Sequence, residues 1–251
     1  MSAWEVVAIA LAGLAAGTVN TVVGSGTLIT FPVLLAFGYA PVTANVSNTI
    51  GLVPGSVSGA VGYRRELAGQ RARAIRLGVV SVAGGITGAV LLLVLPASAF
   101  KAIVPLFIAL ALLLVVVQPR LARALARREV DLERGGFALL ALAVYLSGVY
   151  GGYFGAAQGV LLLGILGAAL AQDLQRTNAL KNVLAGLVNG VAGVCFALAA
   201  HVDWGPAAII AGASVLGAQL GARYGRRLPP DALRAVIVVV GALAIVRLLA
   251  G

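Results

Sequence analysis

Apolar residues are not interleaved with polar ones along this chain. They come in long blocks separated by short breaks rich in glycine, proline or arginine. Ten blocks can be delimited, at 4–23, 27–37, 44–63, 77–95, 100–117, 137–150, 159–171, 178–200, 206–224 and 235–249. A helix needs about 20 apolar residues to cross a hydrocarbon core about 30 Å thick, and most blocks approach that length. The block at 27–37 does not, since as a helix it would cover roughly 16 Å. The block at 159–171 is short as well. The pattern predicts an all-α polytopic membrane protein of eight to ten spans, with two segments short enough to be re-entrant.

Composition sharpens this. Of 251 residues, 61% are hydrophobic and 10% charged, and mean hydropathy is +1.05. A soluble domain carries about a quarter charged residues, so a water-soluble globule and a disordered chain are both excluded. The net charge of +10 does not imply nucleic acid, because the basic residues sit in short loops between apolar blocks and form no basic domain. A lone Cys195 rules out an internal disulfide and a multi-thiolate metal site, and one histidine rules out a His cluster. No cofactor is expected. Residues 1–6 lack a cationic leader and a cleavage site, so the first block is expected to be a retained span.

The basic loops set the expected orientation. Arg64, Arg65, Arg71, Arg73 and Arg76 fall in one loop; Arg120, Arg123, Arg127, Arg128 and Arg134 in a second; Arg223, Arg226, Arg227 and Arg234 in a third. Arg176 and Lys181 flank a fourth, leaving only Lys101 and Arg247 for the other face. Ten spans with both termini outside a bacterial plasma membrane satisfy that split. Trp4, Tyr39 and Trp204 are then expected near the outer interface, Tyr63 and Tyr224 near the inner.

The two halves match at an offset of 133. Ser81-Val82-Ala83-Gly84 to Gly88-Ala89 recurs as Ser214-Val215-Leu216-Gly217 to Gly221-Ala222, and the same offset pairs Leu95-Pro96 with Leu228-Pro229, Lys101 with Arg234, Asn45 with Asn178, Gly26 with Gly159 and Leu28 with Leu161. The Arg-rich loop 64–76 maps onto 197–209, which holds no Lys or Arg, so equivalent loops lie on opposite faces. The expected architecture is an inverted-topology repeat of about five plus five segments, as in alternating-access transporters. Residues 1–118 form an N-terminal repeat, 119–134 a basic cytoplasmic linker and 135–251 the C-terminal repeat. The pairs Gly84/Gly88 and Gly217/Gly221 are expected to pack helices within the chain rather than to build a dimer.

Gly24-Ser25-Gly26 breaks the first half, and Gly155-Ala156-Ala157-Gln158-Gly159 breaks the second. Irregular backbone inside a membrane must be buried in protein or line a cavity. Each break also opens a helix N-terminus, whose N–H groups suit an anion; the alternative is that the glycines only let a helix turn or pack. Neutral polar side chains gather nearby: Asn20, Thr21, Ser25, Thr27, Thr30 and Gln158, with Asn45, Ser47, Asn48 and Thr49 opening one span and Asn178, Lys181 and Asn182 its counterpart. They can replace the hydration of an oxyanion or cap helices. Lys181 is either the counter-ion or a lysine snorkelling to the inner surface. The eight acidic residues, Glu5, Glu66, Glu129, Asp131, Glu133, Asp173, Asp203 and Asp231, lie in loops or at span ends, which argues against a cation or metal substrate. His201, beside Asp203 and Trp204, reads as interfacial, and no catalytic group is assigned. The candidate substrate-binding set is Asn20, Gly24, Ser25, Gly26, Thr27, Asn45, Asn48, Gly155, Gln158, Gly159, Asn178, Lys181 and Asn182.

These motifs resemble the TauE/SafE family of sulfite and sulfonate exporters, also called the four-toluene-sulfonate uptake family. The family repeats a Gly-rich break, an apolar stretch with a proline, and a span opening with small polar residues. Here the copies read Asn20-Thr21-Val22-Val23-Gly24-Ser25-Gly26-Thr27-Leu28-Ile29-Thr30-Phe31-Pro32 with Ala44-Asn45-Val46-Ser47-Asn48-Thr49, and Tyr150-Gly151-Gly152-Tyr153-Phe154-Gly155-Ala156-Ala157-Gln158-Gly159 with Thr177-Asn178-Ala179-Leu180-Lys181-Asn182. Ser25, Ala156, Ala157 and Gln158 replace the family's consecutive glycines. The resemblance implies an inner-membrane transporter of sulfite, an organosulfonate or a related sulfur oxyanion, working by alternating access with the anion between the repeats. The expected partners are a small anionic substrate and the lipid bilayer, and no nucleic acid. An anion channel on the same scaffold and a non-transporting scaffold subunit are the alternatives; an enzyme is not expected.

Overall fold

A computed structural model describes residues 1–125, 136–170 and 172–224, with isolated positions between 235 and 245. Among these the chain is helical without strands: α1 (Ala3–Val22), α2 (Thr27–Ala36), α3 (Pro41–Gly62), α4 (Arg71–Val94), α5 (Ala97–Leu125), α6 (Phe137–Tyr153), α7 (Gln158–Ala169), α8 (Leu174–Ala199) and α9 (Trp204–Tyr224). Five of them, α1, α4, α5 (over Ala97–Val117), α8 and α9, are long and apolar enough to cross a membrane. Their outward side chains include Leu198, Val94 and Trp4, at 84%, 76% and 71% exposure. Apolar exposure on that scale marks a surface made for lipid.

Several helices start earlier than the apolar blocks do. The first turn of α4 carries Arg71 and Arg73, so those residues and Arg76 belong to a helix rather than to a loop. Helix α8 starts at Leu174 because Asp173 is its N-cap, accepting the N–H groups of Gln175 and Arg176 at 2.9 Å each. Helix α5 runs on through Arg120 and Arg123, which were expected in the linker. The other linker arginines, Arg226, Arg227 and Arg234 of the third loop, Arg247, and most of the block at 235–249 lie outside the described residues.

Helices α1 and α2 form a hairpin whose ends share one face, since the Tyr39 hydroxyl after α2 donates to the Glu5 carboxylate at 2.7 Å. Helices α6 and α7 form the same hairpin from the opposite, Arg-rich face, where Arg73 on α4 donates to Gln172 after α7 at 3.0 Å. Each short helix therefore returns toward the face on which its hairpin began. The structure also corrects the register of the repeat. Helices α8 and α9 start 133 residues after α3 and α4, but α2 and α7 start 131 apart. The difference of two is absorbed by α7, with 12 residues against 10 in α2. Gly26 thus corresponds to Ala157 and not to Gly159, and Gly24 corresponds to Gly155.

The halves are not separate bodies. Helix α1 packs along α9, and its counterpart α6 along α4, so each hairpin is held by the other half. Helix α3 joins α9, and α8 joins α4, giving two bundles of three that meet where α3 crosses α8. Small residues make these contacts. A Cβ on Gly84 or Gly88 would collide with the α6 carbonyls of Tyr145 and Val149, and one on Gly217 or Gly221 with the α1 carbonyls of Leu14 and Thr18. The Gly-x-x-x-Gly pairs pack helices within the chain. Rings from α2, α5, α6 and the second break fill the space beside the hairpin tips, with Phe31 edge-on to Phe154 at 5.2 Å and Phe107 to Tyr150 at 5.3 Å.

Candidate functional site

The two breaks touch. Gly24, at φ +90°, ends α1 with its N–H on the Val19 carbonyl at 3.0 Å. Gly155, at φ +77°, ends α6 in the same way on Tyr150 at 3.1 Å. The Gly159 N–H then donates to the Gly24 carbonyl at 3.0 Å, and a Cβ on either glycine would enter the other's backbone. Ala157 caps α7 in the left-handed region at φ 57°, a conformation that costs a residue with a Cβ roughly 1–2 kcal/mol. The expectation of open backbone donors narrows at α7. At the start of α7 the Gly159 N–H is taken by Gly24 and the Gln158 N–H by the Gly155 carbonyl at 3.2 Å. Two side-chain donors at the breaks are also open: the buried Ser25 hydroxyl and the buried Gln158 amide nitrogen have no partner. Gln158 lies over Gly151, where any Cβ would strike its amide.

The amides do not cap their own helices. Asn45 and Asn178 sit on the fifth residue of α3 and α8, and each reaches a helix end of the other half. The Asn178 Nδ2 donates to the Thr21 carbonyl at 3.2 Å and the Asn45 Nδ2 to the Tyr153 carbonyl at 3.1 Å. Asn182 adds a donor to Thr21 at 3.3 Å. These are the orphan carbonyls that any helix leaves at its C-terminus. The Oδ1 atoms of Asn45 and Asn178 stay buried without a partner.

Lys181 belongs to the same set. It is 0% exposed, so it does not snorkel and leaves the count of loop charges. Its Nζ donates to the carbonyls of Asn20 at 3.0 Å and Thr21 at 3.4 Å, and its stem lies along Gly159, where a Cβ would stand 3.0 Å from its Cδ. Among the described residues the acidic ones, Glu5, Glu66, Asp173 and Asp203, all sit at helix ends or in loops. Among the described residues the Lys181 amine therefore rests on carbonyl oxygens and on no carboxylate.

Thr27, Thr30 and Asn48 make a separate set that joins α2 to α3: the Thr30 hydroxyl donates to the Asn48 Oδ1, and the Asn48 Nδ2 to the Thr27 Oγ1 at 3.3 Å. The Gly26 carbonyl accepts from the Thr30 backbone N–H at 3.4 Å. Asn20 turns its amide to Ser56 at 3.5 Å. Ser47 lies on the Trp-bearing face, its hydroxyl accepting the Asp203 N–H at 2.9 Å. Tyr63, expected in an aromatic belt, is buried at 2% exposure, whereas Trp4, Trp204 and Tyr224 are exposed. Sequence reasoning missed Ser56, Asn189 and the ring of Phe154. The one available signal was the offset itself, which pairs Ser56 with Asn189.

Each face is latched. On the Arg-rich face the buried Gln70 donates to the carbonyls of Glu66 at 2.9 Å and Arg176 at 3.1 Å, while Arg176 donates to the Ala68 carbonyl at 3.0 Å. On the other, Tyr39 closes on Glu5. Burial and the Glu5 hydrogen bond, in that order, raise the Tyr39 hydroxyl above its ordinary pKa.

Two opposed hairpins meet tip to tip in a bundle of apolar helices, with polar side chains at the meeting point, an arrangement in keeping with a membrane transporter. The chain belongs to the family described as sulfite exporter TauE/SafE, which it matches over residues 9–248. It is 27% identical over 241 residues to a probable membrane transporter protein, ORF9, of a Sinorhizobium species, covering 96% of this chain and 90% of that one. The probable membrane transporter protein YfcA of Escherichia coli K12 is 27% identical over 244 residues, 93% of this chain and 86% of its own. A probable membrane transporter protein of Haemophilus influenzae is 25% identical over 228 residues, covering 90% and 88%. No solved structure gives a significant match.

Proposed function

We propose that this transporter moves a small sulfur oxyanion, sulfite or an organosulfonate, across a bacterial plasma membrane by alternating access. The anion binds at the meeting point of the hairpins, between an N-terminal repeat at 1–118 and a C-terminal repeat at 135–251 joined by the basic linker 119–134. The Arg-rich face lies in the cytoplasm and both termini lie outside, in keeping with the distribution of Arg and Lys.

The observation that carries this reading is Lys181. A lysine amine buried on carbonyls carries its charge only at a cost, and an anion arriving beside it would offset that cost. The unpartnered Ser25 hydroxyl and Gln158 amide supply neutral donors at the two breaks. Neutral donors plus one cation suit an anion of low charge, and the family's description supplies the sulfur. The tip-to-tip bond between Gly159 and Gly24 makes release depend on the hairpins parting.

In proteoliposomes the protein is expected to take up labelled sulfite with saturating kinetics. Lys181→Met is expected to cut that flux at least tenfold, and Lys181→Arg to retain part of it. Full flux in a well-folded Lys181→Met protein would remove Lys181 from the site. Flux that never saturates would make the protein a channel.

A further inference from the structure

The geometry points to a second polar station for the anion, formed by Asn20, Ser56 and Asn189 and open to water, one step from the Lys181 crossing. It rests on the transport reading above and extends its path.

Ser56 and Asn189 are each the sixteenth residue of their helix, α3 and α8. They are related by the 133-residue offset, and they touch: the Asn189 Nδ2 donates to the Ser56 Oγ at 3.2 Å. Two equivalent positions of a repeat meet only on the axis that relates its copies, so this pair marks that axis. The Ser56 hydroxyl gives its own proton to the Leu52 carbonyl at 2.9 Å, leaving its oxygen to accept from Asn189 and, at 3.5 Å, from Asn20. Asn20 in turn offers its carbonyl to Lys181 at 3.0 Å, so one residue belongs to both stations.

The exposure of the amides decides the matter. Ser56 is buried, whereas Asn189, past the middle of α8, and Asn20, in the last turn of α1 at the hairpin tip, are only half-buried. An amide left open at that depth is unstable against hydrocarbon and is tolerated where it faces water. Each amide keeps one N–H free after its bond to Ser56, so the station offers an anion two neutral donors from opposite bundles.

The test uses the single native cysteine to advantage. In a Cys195→Ala parent reconstituted in liposomes, Asn189→Cys is treated with a membrane-impermeant methanethiosulfonate. Labelling at least tenfold faster than at the lipid-facing Leu198→Cys is expected, with slowing of severalfold by millimolar sulfite. Labelling no faster than Leu198→Cys would overturn the station. Labelling that sulfite does not slow, in a parent that still transports sulfite, would overturn it too while leaving the transport reading intact. A parent without sulfite flux would overturn both. A second variant, Asn189→Ala, is expected to raise the KM for sulfite severalfold at unchanged thermal stability; an unchanged KM would also overturn the station.

Discussion

At the scale of single residues, the hairpin tips combine tolerance and intolerance a few ångströms apart. Gly159 has ordinary backbone angles, so its need for glycine is one of space: its Cα side abuts Gly24. Gly159→Ala is expected to cost about 1–3 kcal/mol through overpacking, seen as a lower melting temperature in detergent. Two residues away Ala157 sits at φ 57°, and Ala157→Gly removes a left-handed strain. That variant is expected to melt higher by an amount equivalent to about 1 kcal/mol; a lower melting point would show that its methyl packing outweighs the strain. Tyr39 provides a pH dependence. Its folded pKa lies above the ordinary value of about 10, so the unfolded chain loses this proton first and stability falls as pH rises past that point. The advantage of the native chain over Tyr39→Phe is therefore expected to be full below pH ~10 and to shrink above it in melting curves. The polar chemistry of the tips was legible because Asn, Ser, Thr and Lys stand out in an apolar chain. Their partners were not, because those are carbonyls of the opposite hairpin, and every residue has a carbonyl.

Among the helices, what decides packing is where a Cβ is absent. Gly221 faces the α1 backbone, where a Cβ would come within 2.8 Å of the Thr18 carbonyl oxygen; Gly212, two and a half turns earlier on α9, faces open space. Gly221→Leu is expected to force α9 from α1 and abolish a folded, monodisperse protein by size-exclusion chromatography. Gly212→Ala is expected to leave the protein unchanged or slightly more stable, since alanine favours a helix by about 0.5–1 kcal/mol over glycine. Equal damage from both would mean that helix propensity, and not the α1–α9 contact, governs the region. Helix ends set by glycine and proline were readable to within a few residues. The starts of α4 and α8 were missed because their first turns are polar; Asp173, an N-cap by type, was the overlooked sign. The two-residue slip between α2 and α7 escaped notice because Gly and Ala match one another at many registers in a chain so rich in both.

For the molecule as a whole, the exchange of hairpins between halves was beyond the sequence: an offset reveals that two segments are alike, not which of them touch. It bears on the moving parts, since bodies that rock as units would be α1, α3 and α9 against α4, α6 and α8, neither being a contiguous half of the chain. Residues 1–118 and 135–251 made as separate fragments are expected to be degraded when expressed singly and to restore a transporting complex when expressed together. An N-terminal fragment that is stable alone would contradict the packing of α1 on α9. The same exchange imposes an order on biosynthesis. About 180 residues separate the end of α1 from the start of α9, which at about 5–20 residues per second is on the order of ten to forty seconds of translation. Throughout that interval the first hairpin waits in the bilayer without α9 at its back and without Lys181, Asn178 and Asn182 on its exposed carbonyls. A nascent chain in that condition is a substrate for membrane proteases and insertion chaperones. Lesions in α8 or α9 should therefore surface first as clearance of the N-terminal hairpin, at the opposite end of the polypeptide from the altered residue.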